Sequence, residues 1–275
     1  MLDLTVHDDT RRQKDLADRI TRTLESVAPL VARTTGLPLP PAVRFRVVTP
    51  AVWRRESVAH LQRLLVRDIS DLGLHPAHAK QLKRRVRMGG AIVPPMVLPM
   101  IMGWTALAAD GQREVIVVPQ ALRHGGLLSH EPSLTKMIAH ELTHLVQVAA
   151  YDDDPAWNTL VPDLRKTDKE VTSLVLEGHA LWTDGQVTTQ LYGRPVDQRH
   201  RGAQVLALPA PRNRLARTMR LDRARYAEAA TFFNDAVAIH GVDQVNRIWQ
   251  DRPLLPTKDE FTDADARAWI RRIAT

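Results

Sequence analysis

The residues with the clearest chemical meaning are His140, Glu141 and His144, in the segment Ile-Ala-His-Glu-Leu-Thr-His. At about 100° per residue, the two histidines share one helix face and lie one turn apart. Two imidazoles placed in this way can bind one metal ion, while the carboxylate of Glu141 is offset enough to reach a water beside it. Apolar residues occupy the opposite face, so the segment is predicted to be a helix with a buried back and a ligand-bearing front.

The third metal ligand is expected downstream of this motif. A catalytic zinc ion usually has three protein ligands and one open position. The chain has no cysteine, so the third ligand must be His, Asp or Glu. Glu177 is preferred because it lies in an apolar helical stretch, where an unpaired carboxylate would be costly. His179 is the alternative, and it lies about 200° further around the helix, so it cannot share a metal with Glu177.

These residue types predict hydrolysis by a metal-activated water. Zinc lowers the pKa of a water and polarises a carbonyl, and Glu141 would accept the proton and later pass it to the leaving amine. A further donor is expected beside the developing oxyanion. The candidates for that donor are Tyr226, His179, His200 and His240.

Side chains that orient the ligands are expected on the same helix faces. Ser173 and Asp184 share the face of Glu177 at helical spacing, and Asp184 is the preferred helper. Gln147 lies one turn after His144, where it either lines the site or covers the polar face of the helix.

Hydrophobic periodicity predicts an α+β fold with a small mixed sheet and many helices. Strands are expected at residues 43–48, 103–109 and 114–118, the last two joined as a hairpin. Helices are expected near residues 9–33, 51–72, 75–88, 132–150, 168–183, 222–240, 242–250 and 263–272. Residues 195–212 are predicted to be a linker.

Two lobes are expected to share one catalytic unit. Residues 1–150 would form an N-terminal lobe with the sheet and the motif helix between the lobes. Residues 151–275 would form a helical C-terminal lobe that supplies Glu177.

Composition sets outer limits on function. The 275 residues are 44% hydrophobic and 25% charged, as in ordinary soluble globular proteins. The net charge is +7, but basic residues are spread along the chain among 31 acidic ones, which predicts a solvated surface and no nucleic-acid partner. The N-terminus lacks a basic segment followed by an apolar one, so a cytoplasmic protein without a secretory signal is expected.

One uncharged segment, residues 88–109, has the length of a membrane span. Prolines at positions 94, 95 and 99 interrupt it, and each removes a backbone donor. We therefore expect a buried loop leading into a strand and no membrane span.

The motifs resemble those of the gluzincins, which are zinc peptidases whose third ligand is a glutamate. Further stretches resemble the actinobacterial zincin-like metallopeptidase family that is labelled by association with deazaflavin-cofactor biosynthesis. The resemblance covers about residues 103–272, and its stretches are 115–122, 140–147, 176–180, 226–233, 245–256 and 268–272.

The resemblance implies a zincin-like fold, with the motif helix below an edge strand that can pair with an extended peptide. It implies zinc on His140, His144 and Glu177, with Glu141 as general base and Tyr226 as oxyanion donor. It also implies a peptide or amide substrate.

Two positions depart from the gluzincin pattern. Leu181 replaces an acidic residue four positions after the glutamate ligand, and Ala229 replaces a glycine three positions after the tyrosine. A second hypothesis is therefore a non-catalytic binding protein on the same scaffold. A third is nucleic-acid association through arginines at positions 212, 214, 217, 220, 223 and 225.

Overall fold

The computed structural model describes the backbone of residues 3–98, 101–197, 210–262 and 266–273. Within those ranges the chain combines one small mixed sheet with many helices, which confirms the predicted α+β class. The strands are β1 (Asp3–Asp8), β2 (Ala42–Val47), β3 (Gly103–Leu107) and β4 (Arg113–Val117).

The helices carry most of the described chain. Those before the motif are α1 (Lys14–Thr35), α2 (Pro50–Asp71), α3 (Pro76–Val97) and α4 (Pro119–His124). The motif helix and its successors are α5 (Glu131–Ala150), α6 (Lys169–Tyr192), α7 (Ala210–His240), α8 (Val242–Asn246), α9 (Lys258–Thr262) and α10 (Ala266–Ile273).

The sheet has the strand order β1-β2-β4-β3. β1 and β4 flank β2 in parallel, and β3 runs antiparallel to β4 as the predicted hairpin requires. Among the described strands β3 therefore has one neighbour and forms an edge of the sheet. Its free side carries backbone N–H and C=O groups that another extended chain can pair with.

Successive side chains of a strand point to opposite faces of the sheet, and the two faces pack against different helices. Val115 and Val117 of β4 pack with residues of α1 and α5, including Leu24 and Leu142. Ile116 points to the other face, where α2 contributes to a smaller cluster. The central strands thus fix the position of α5 relative to the edge strand β3.

Helix α6 lies between α5 and α7 and contacts both. Its apolar residues join a cluster with α7 and the C-terminal segments, built on Val175, Phe233, Trp249 and Trp269. This packing places Glu177 opposite the motif helix. The division into lobes at residue 150 stays a prediction.

Three sequence predictions were wrong in detail. β1 was not predicted, because its short sequence offers only Leu4 and Val6 to the core. α6 continues past Gly185 to an αL cap at Gly193, since packing outweighs a cost of about 1 kcal/mol for an internal glycine. α7 begins at Ala210 and not near residue 222. Residues 198–209 of the predicted linker lie outside the described residues.

The loop predicted after residue 88 was also wrong, because α3 continues to Val97. The φ angle to which proline is restricted is itself helical, so prolines 94 and 95 can lie within α3 although each removes a backbone donor. None of the described helices combines the length and the apolar character needed to cross a membrane.

Candidate metal centre

Three side chains converge where α5 faces α6. The Nε2 atoms of His140 and His144 lie 3.2 Å apart. Oε2 of Glu177 lies 3.4 Å from Nε2 of His140, and Oε1 lies 3.7 Å from Nε2 of His144. The three ligand atoms all lie within 4.8 Å of one another, a spacing that one ion can bridge.

The sequence of α5 explains how it presents the two histidines. The ring of His130 caps the helix by accepting from the backbone N–H of Ser133, and Pro132 occupies the first turn, where a missing donor costs little. Ile138 and Leu142 are fully buried on the back of the helix. The front, with the motif histidines, therefore faces α6.

Helix α6 brings its carboxylate to the same point. Asp168 caps its N-terminus by accepting from the backbone N–H groups of Glu170 and Val171. Val175 is fully buried on the back of α6, whereas the side chain of Glu177 is 34% exposed. The carboxylate is thus held beside the histidines and open to a cleft.

A buried carboxylate orients His140. Asp184, which is fully buried, places Oδ2 3.1 Å from Nδ1 of His140 and Oδ1 3.1 Å from Nζ of Lys136. Nδ1–H of His140 donates to Asp184, which leaves the lone pair of Nε2 directed at the other ligands. Lys136 lies one turn before His140 and balances the charge of Asp184.

An amide orients His144. Oε1 of Gln147 accepts from Nδ1–H of His144 at 2.8 Å, and Nε2 of Gln147 donates to the backbone oxygen of Leu176 at 2.8 Å. The same amide nitrogen lies 3.1 Å from Nδ1 of His179. Gln147 is fully buried, so these contacts fix which of its ends faces the histidine.

His179 is not among the three residues that could hold a metal ion, and it contacts Gln147. Burial, and then the nearby charge of His144, lower the pKa of His179 to about 3, so its ring is neutral. The ring packs edge-on against Phe233 and Trp249. Its contact with the metal ligands runs through Gln147.

The donor set fits a divalent cation. The Nε2 atoms of both histidines face each other and a carboxylate, so a cation between them would contact all three groups. Without a metal, burial opposes a second proton on His140, but hydrogen bonds to Asp184 and Glu177 raise its pKa. Partial burial opposes ionisation of Glu177, but the two histidines lower its pKa to about 2. Two histidines and one glutamate are a zinc ligand set.

Glu141 lies directly below the edge strand. Its Oε2 is 3.4 Å from Oγ1 of Thr105, and a Cβ atom on Gly103 would lie 2.5 Å from its Cγ. Burial raises the pKa of Glu141, although the charges of the two histidines oppose the shift. A carboxylate with a raised pKa is suited to accept and return a proton near neutral pH.

Gly103→Ala is expected to displace Glu141 and lower kcat about 100-fold, because an error of about 1 Å in a reacting group costs that much. The new Cβ would also lie 2.7 Å from Cδ and Oε1 of Glu141, closer than atoms can approach. The rate of hydrolysis and the zinc content would be measured together, and zinc content should not change. Gly89→Ala, where a Cβ meets nothing within 4 Å, is the control. Equal activity in the two variants would contradict this role of Gly103.

Tyr226 lines the cleft from α7. Its hydroxyl lies 3.0 Å from Oγ of Ser173, one turn before Glu177 on α6. Leu181, which stands where gluzincins have an acidic residue, lines the same cleft. Of the other donors expected beside an oxyanion, His240 ends α7 away from the cleft-lining residues, and residue 200 lies outside the described ranges.

The crossing of α6 and α7 explains how Ala229 is accommodated. A Cβ on Gly178 would lie 2.5 Å from Cβ of Ala229 and 2.9 Å from its carbonyl carbon. α6 and α7 can therefore approach closely because Gly178 has no side chain at this crossing. This contact sets the distance between Glu177 and Tyr226.

Gly178→Ala is expected to destabilise the protein by about 1–3 kcal/mol, because the new methyl group meets backbone that cannot move independently. The matched control is Gly185→Ala on the same helix, where nothing lies within 4 Å. That control should be neutral, or stabilising by up to about 1 kcal/mol. Chemical unfolding of both variants tests the contact, and equal stability would contradict it.

Sequence reasoning missed two contributors to this site. Lys136 lies one helical turn before His140, and this spacing could have indicated that it lies near the site. The sequence did not show that it pairs with Asp184. Gly103 carries none, because its contact with Glu141 depends on how the sheet lies over α5. The arginines at positions 212–223 have no described side chains, and Arg225 pairs with Glu170.

Two comparisons with known proteins bear on this geometry. The model of the family described as Zincin-like metallopeptidase matches residues 203–270, about a quarter of the chain. A crystal structure from Chloroflexus aurantiacus, described as a candidate hydrolase with a novel fold, is similar over 97% of this chain and 91% of its own. It has 18% sequence identity and a TM-score of 0.55, so the likeness concerns the fold. No curated protein matches the chain.

The family match agrees with the α+β architecture, and a zincin-like family is consistent with the group of His140, His144 and Glu177, which could hold a metal ion. It covers α7, α8, α9 and the first five residues of α10, and it does not reach the motif helix. Neither comparison bears on deazaflavin-cofactor biosynthesis.

Proposed function

We propose that this protein is a zinc-dependent metallopeptidase that hydrolyses peptide or amide bonds. The observation that carries the proposal is the convergence of His140, His144 and Glu177 beside the buried carboxylate of Glu141. The match to a zincin-like metallopeptidase family supports it, as does the fold shared with a protein described as a candidate hydrolase. The cytoplasmic location expected from the sequence stays part of the proposal.

The metal would be held by Nε2 of both histidines and the carboxylate of Glu177. When bound, zinc supplies a Lewis acid that makes water more acidic and polarises a carbonyl oxygen. Asp184 and Gln147 keep the histidine rings in the tautomer that ligation requires.

The chain's own residues would move the proton. The carboxylate of Glu141 accepts a proton from the attacking water and gives it to the nitrogen of the leaving amine. Its burial keeps competing water away and raises its pKa toward neutrality. The hydroxyl of Tyr226, held by Ser173, donates a hydrogen bond to the negative oxygen that forms on the substrate.

The substrate is proposed to be an extended peptide. β3 has a free edge, and an added strand would pair with its backbone groups directly above the motif helix. The cleft beside it has a volume of about 530 Å³, enough for several side chains.

The proposal is tested by incubating protein loaded with one equivalent of zinc with a mixed peptide library and identifying products by mass spectrometry. We expect cleavage that phenanthroline abolishes and added zinc restores. Full zinc occupancy without cleavage would instead support the binding-protein hypothesis, which Leu181 and Ala229 motivate.

A further inference from the structure

A buried arginine lies in the cleft with unused hydrogen-bond donors. Arg113 opens β4, and its side chain is only 7% exposed although it lines the cleft. Its Nη2 pairs with the carboxylate of Asp153. Its Nε and Nη1 have no hydrogen-bond partner within the described part of the chain. Buried donors of a charged group are rarely left unpaired, so an acceptor is expected to reach them.

The register of the sheet places Arg113 at a defined distance from the catalytic centre. Thr105, which contacts Glu141, pairs with Val115, and Leu107 pairs with Arg113. Residues two apart on a strand share a face, so Arg113 points to the α5 side, about 7 Å further along β4. Tyr151, which lies seven residues beyond His144, lines the same end of the cleft.

Two arginines meet at one carboxylate at this end of the cleft. Arg67 and Arg113 both pair with Asp153, with Nη1 of Arg67 3.4 Å from Oδ2, so two guanidinium groups share one carboxylate. Nearby, Arg63 pairs with Glu56 at 3.7 Å, and Arg165 pairs with both Asp68 and Asp71.

The same arginines lower the pKa of a buried histidine, His60. Burial, and then the charges of Arg113, Arg63 and Arg67, lower the pKa of His60 to about 3. Its ring is therefore neutral and adds neither a charge nor a counter-charge. Nδ1 of His60 instead accepts from the backbone N–H of Leu107, the residue that pairs with Arg113.

The aromatic wall of this end adds a further unused donor. Trp157 is buried, lines the cleft and stacks on Tyr151 with ring centroids 5.2 Å apart. Its Nε1–H has no hydrogen-bond partner among the residues the structure describes. Donors without acceptors, beside two guanidinium groups that share one carboxylate, are suited to an anion.

We propose that the Arg113 end of the cleft binds a carboxylate of the substrate, so that peptides with a carboxylate about two or three residues from the cleaved bond are preferred. This inference rests on the proposed peptidase function. A carboxylate matches this site because it accepts hydrogen bonds and adds one negative charge beside two arginines that share Asp153. The carboxylate is either the free C-terminus of a short peptide or the side chain of an Asp or Glu.

The test compares matched N-acetylated peptides that differ in one group: free acid against C-terminal amide, and internal Glu against Gln in the amidated series. For the wild-type protein we expect kcat/KM to be about ten- to hundredfold higher for one carboxylate series than for its neutral counterpart. The series that shows the preference identifies the source of the carboxylate. No preference in either series would overturn the inference.

Arg113→Lys keeps a positive charge for Asp153 and removes the Nε and Nη1 donors. It should reduce the preference to less than about threefold by lowering kcat/KM for the carboxylate series, with the neutral series less affected. Arg67→Lys is the matched control, because Arg67 shares Asp153 but does not line the cleft. A preference that survives in Arg113→Lys would overturn the assignment to Arg113.

Binding separates this inference from the peptidase proposal. Calorimetric titration of the Glu141→Gln variant with the same acid and amide peptides needs no turnover. Selective binding of the carboxylate peptides by Glu141→Gln, together with a zinc-loaded wild-type protein that cleaves neither series, would support the subsite and contradict the peptidase. Cleavage of both series at equal rates would support the peptidase and overturn the subsite.

Discussion

Glu141→Gln is expected to abolish hydrolysis while the protein keeps its zinc. The amide has nearly the shape of the carboxylate and can keep the contact with Thr105, but it cannot accept a proton from water. Removal of a positioned general base costs about 10²–10⁴ in rate, so kcat should fall by at least about 100-fold. Because Glu141 is not among the three converging ligands, zinc affinity should change little.

Zinc content by elemental analysis and turnover of a cleaved peptide would be measured on the same preparation. Glu25→Gln, which removes an exposed carboxylate from α1, is the control and should retain full activity. If Glu141→Gln retained the wild-type rate, Glu141 would have no part in proton transfer. If it lost zinc as well, Glu141 would be a ligand and the assignment of Glu177 would need revision.

His144→Ala is expected to remove the metal itself. The variant loses one of three ligand atoms, and the remaining His140 and Glu177 cannot hold zinc at ordinary free concentrations. The loss also leaves the buried Oε1 of Gln147 without the donor it accepts from. We expect zinc per chain to fall from one to near zero, and hydrolysis to disappear with it.

Thermal unfolding gives a second measurement of the same loss. Zinc that binds only the folded protein raises the unfolding temperature, so the wild-type transition should shift upward with added zinc and the His144→Ala transition should not. His78→Ala, which removes an exposed histidine of α3, is the control and should behave as wild type. An unchanged zinc content in His144→Ala would contradict the ligand assignment.

The convergence of the candidate metal ligands could be predicted from sequence because it depends on local periodicity. His140 and His144 are one turn apart in any regular helix, and that spacing alone makes them neighbours. Glu177 and Asp184 are seven residues apart, which places both on one face of α6. The sequence did not show that this face of α6 is turned towards α5, and the structure does.

The supporting contacts could not be predicted because they join elements distant in sequence. Gly103 lies close to Glu141 because the edge strand β3 passes over α5. Gly178 lies close to Ala229 because α6 and α7 cross at these residues. Arg113 at the start of a strand has the pattern of a surface residue until its burial is known. Such contacts depend on register and packing, which periodicity does not encode.

Regular structure was misjudged where local propensity conflicts with packing. Glycine at position 185 and prolines at 94 and 95 signalled breaks, yet α6 and α3 continue through them. For α6 the reason is visible, because both of its sides are covered by α5 and α7. The cost of one internal glycine is small beside such burial.

Neighbouring residues supply what the two departures from the gluzincin pattern, Leu181 and Ala229, remove. Asp184, three residues after Leu181, is the buried carboxylate that accepts from a histidine ligand. Gly178 provides the space that a glycine at position 229 would give. Both substitutions are therefore consistent with an assembled site, and activity measurements will distinguish the enzyme from the binding protein.

The central claim is that one zinc ion lies between α5 and α6, and anomalous X-ray scattering at the zinc edge tests it most directly. The claim predicts a single strong peak about 2.0–2.2 Å from Nε2 of His140, Nε2 of His144 and an oxygen of Glu177. A zinc-loaded crystal with no peak at these three atoms, or with Glu177 turned away from the peak, would contradict it.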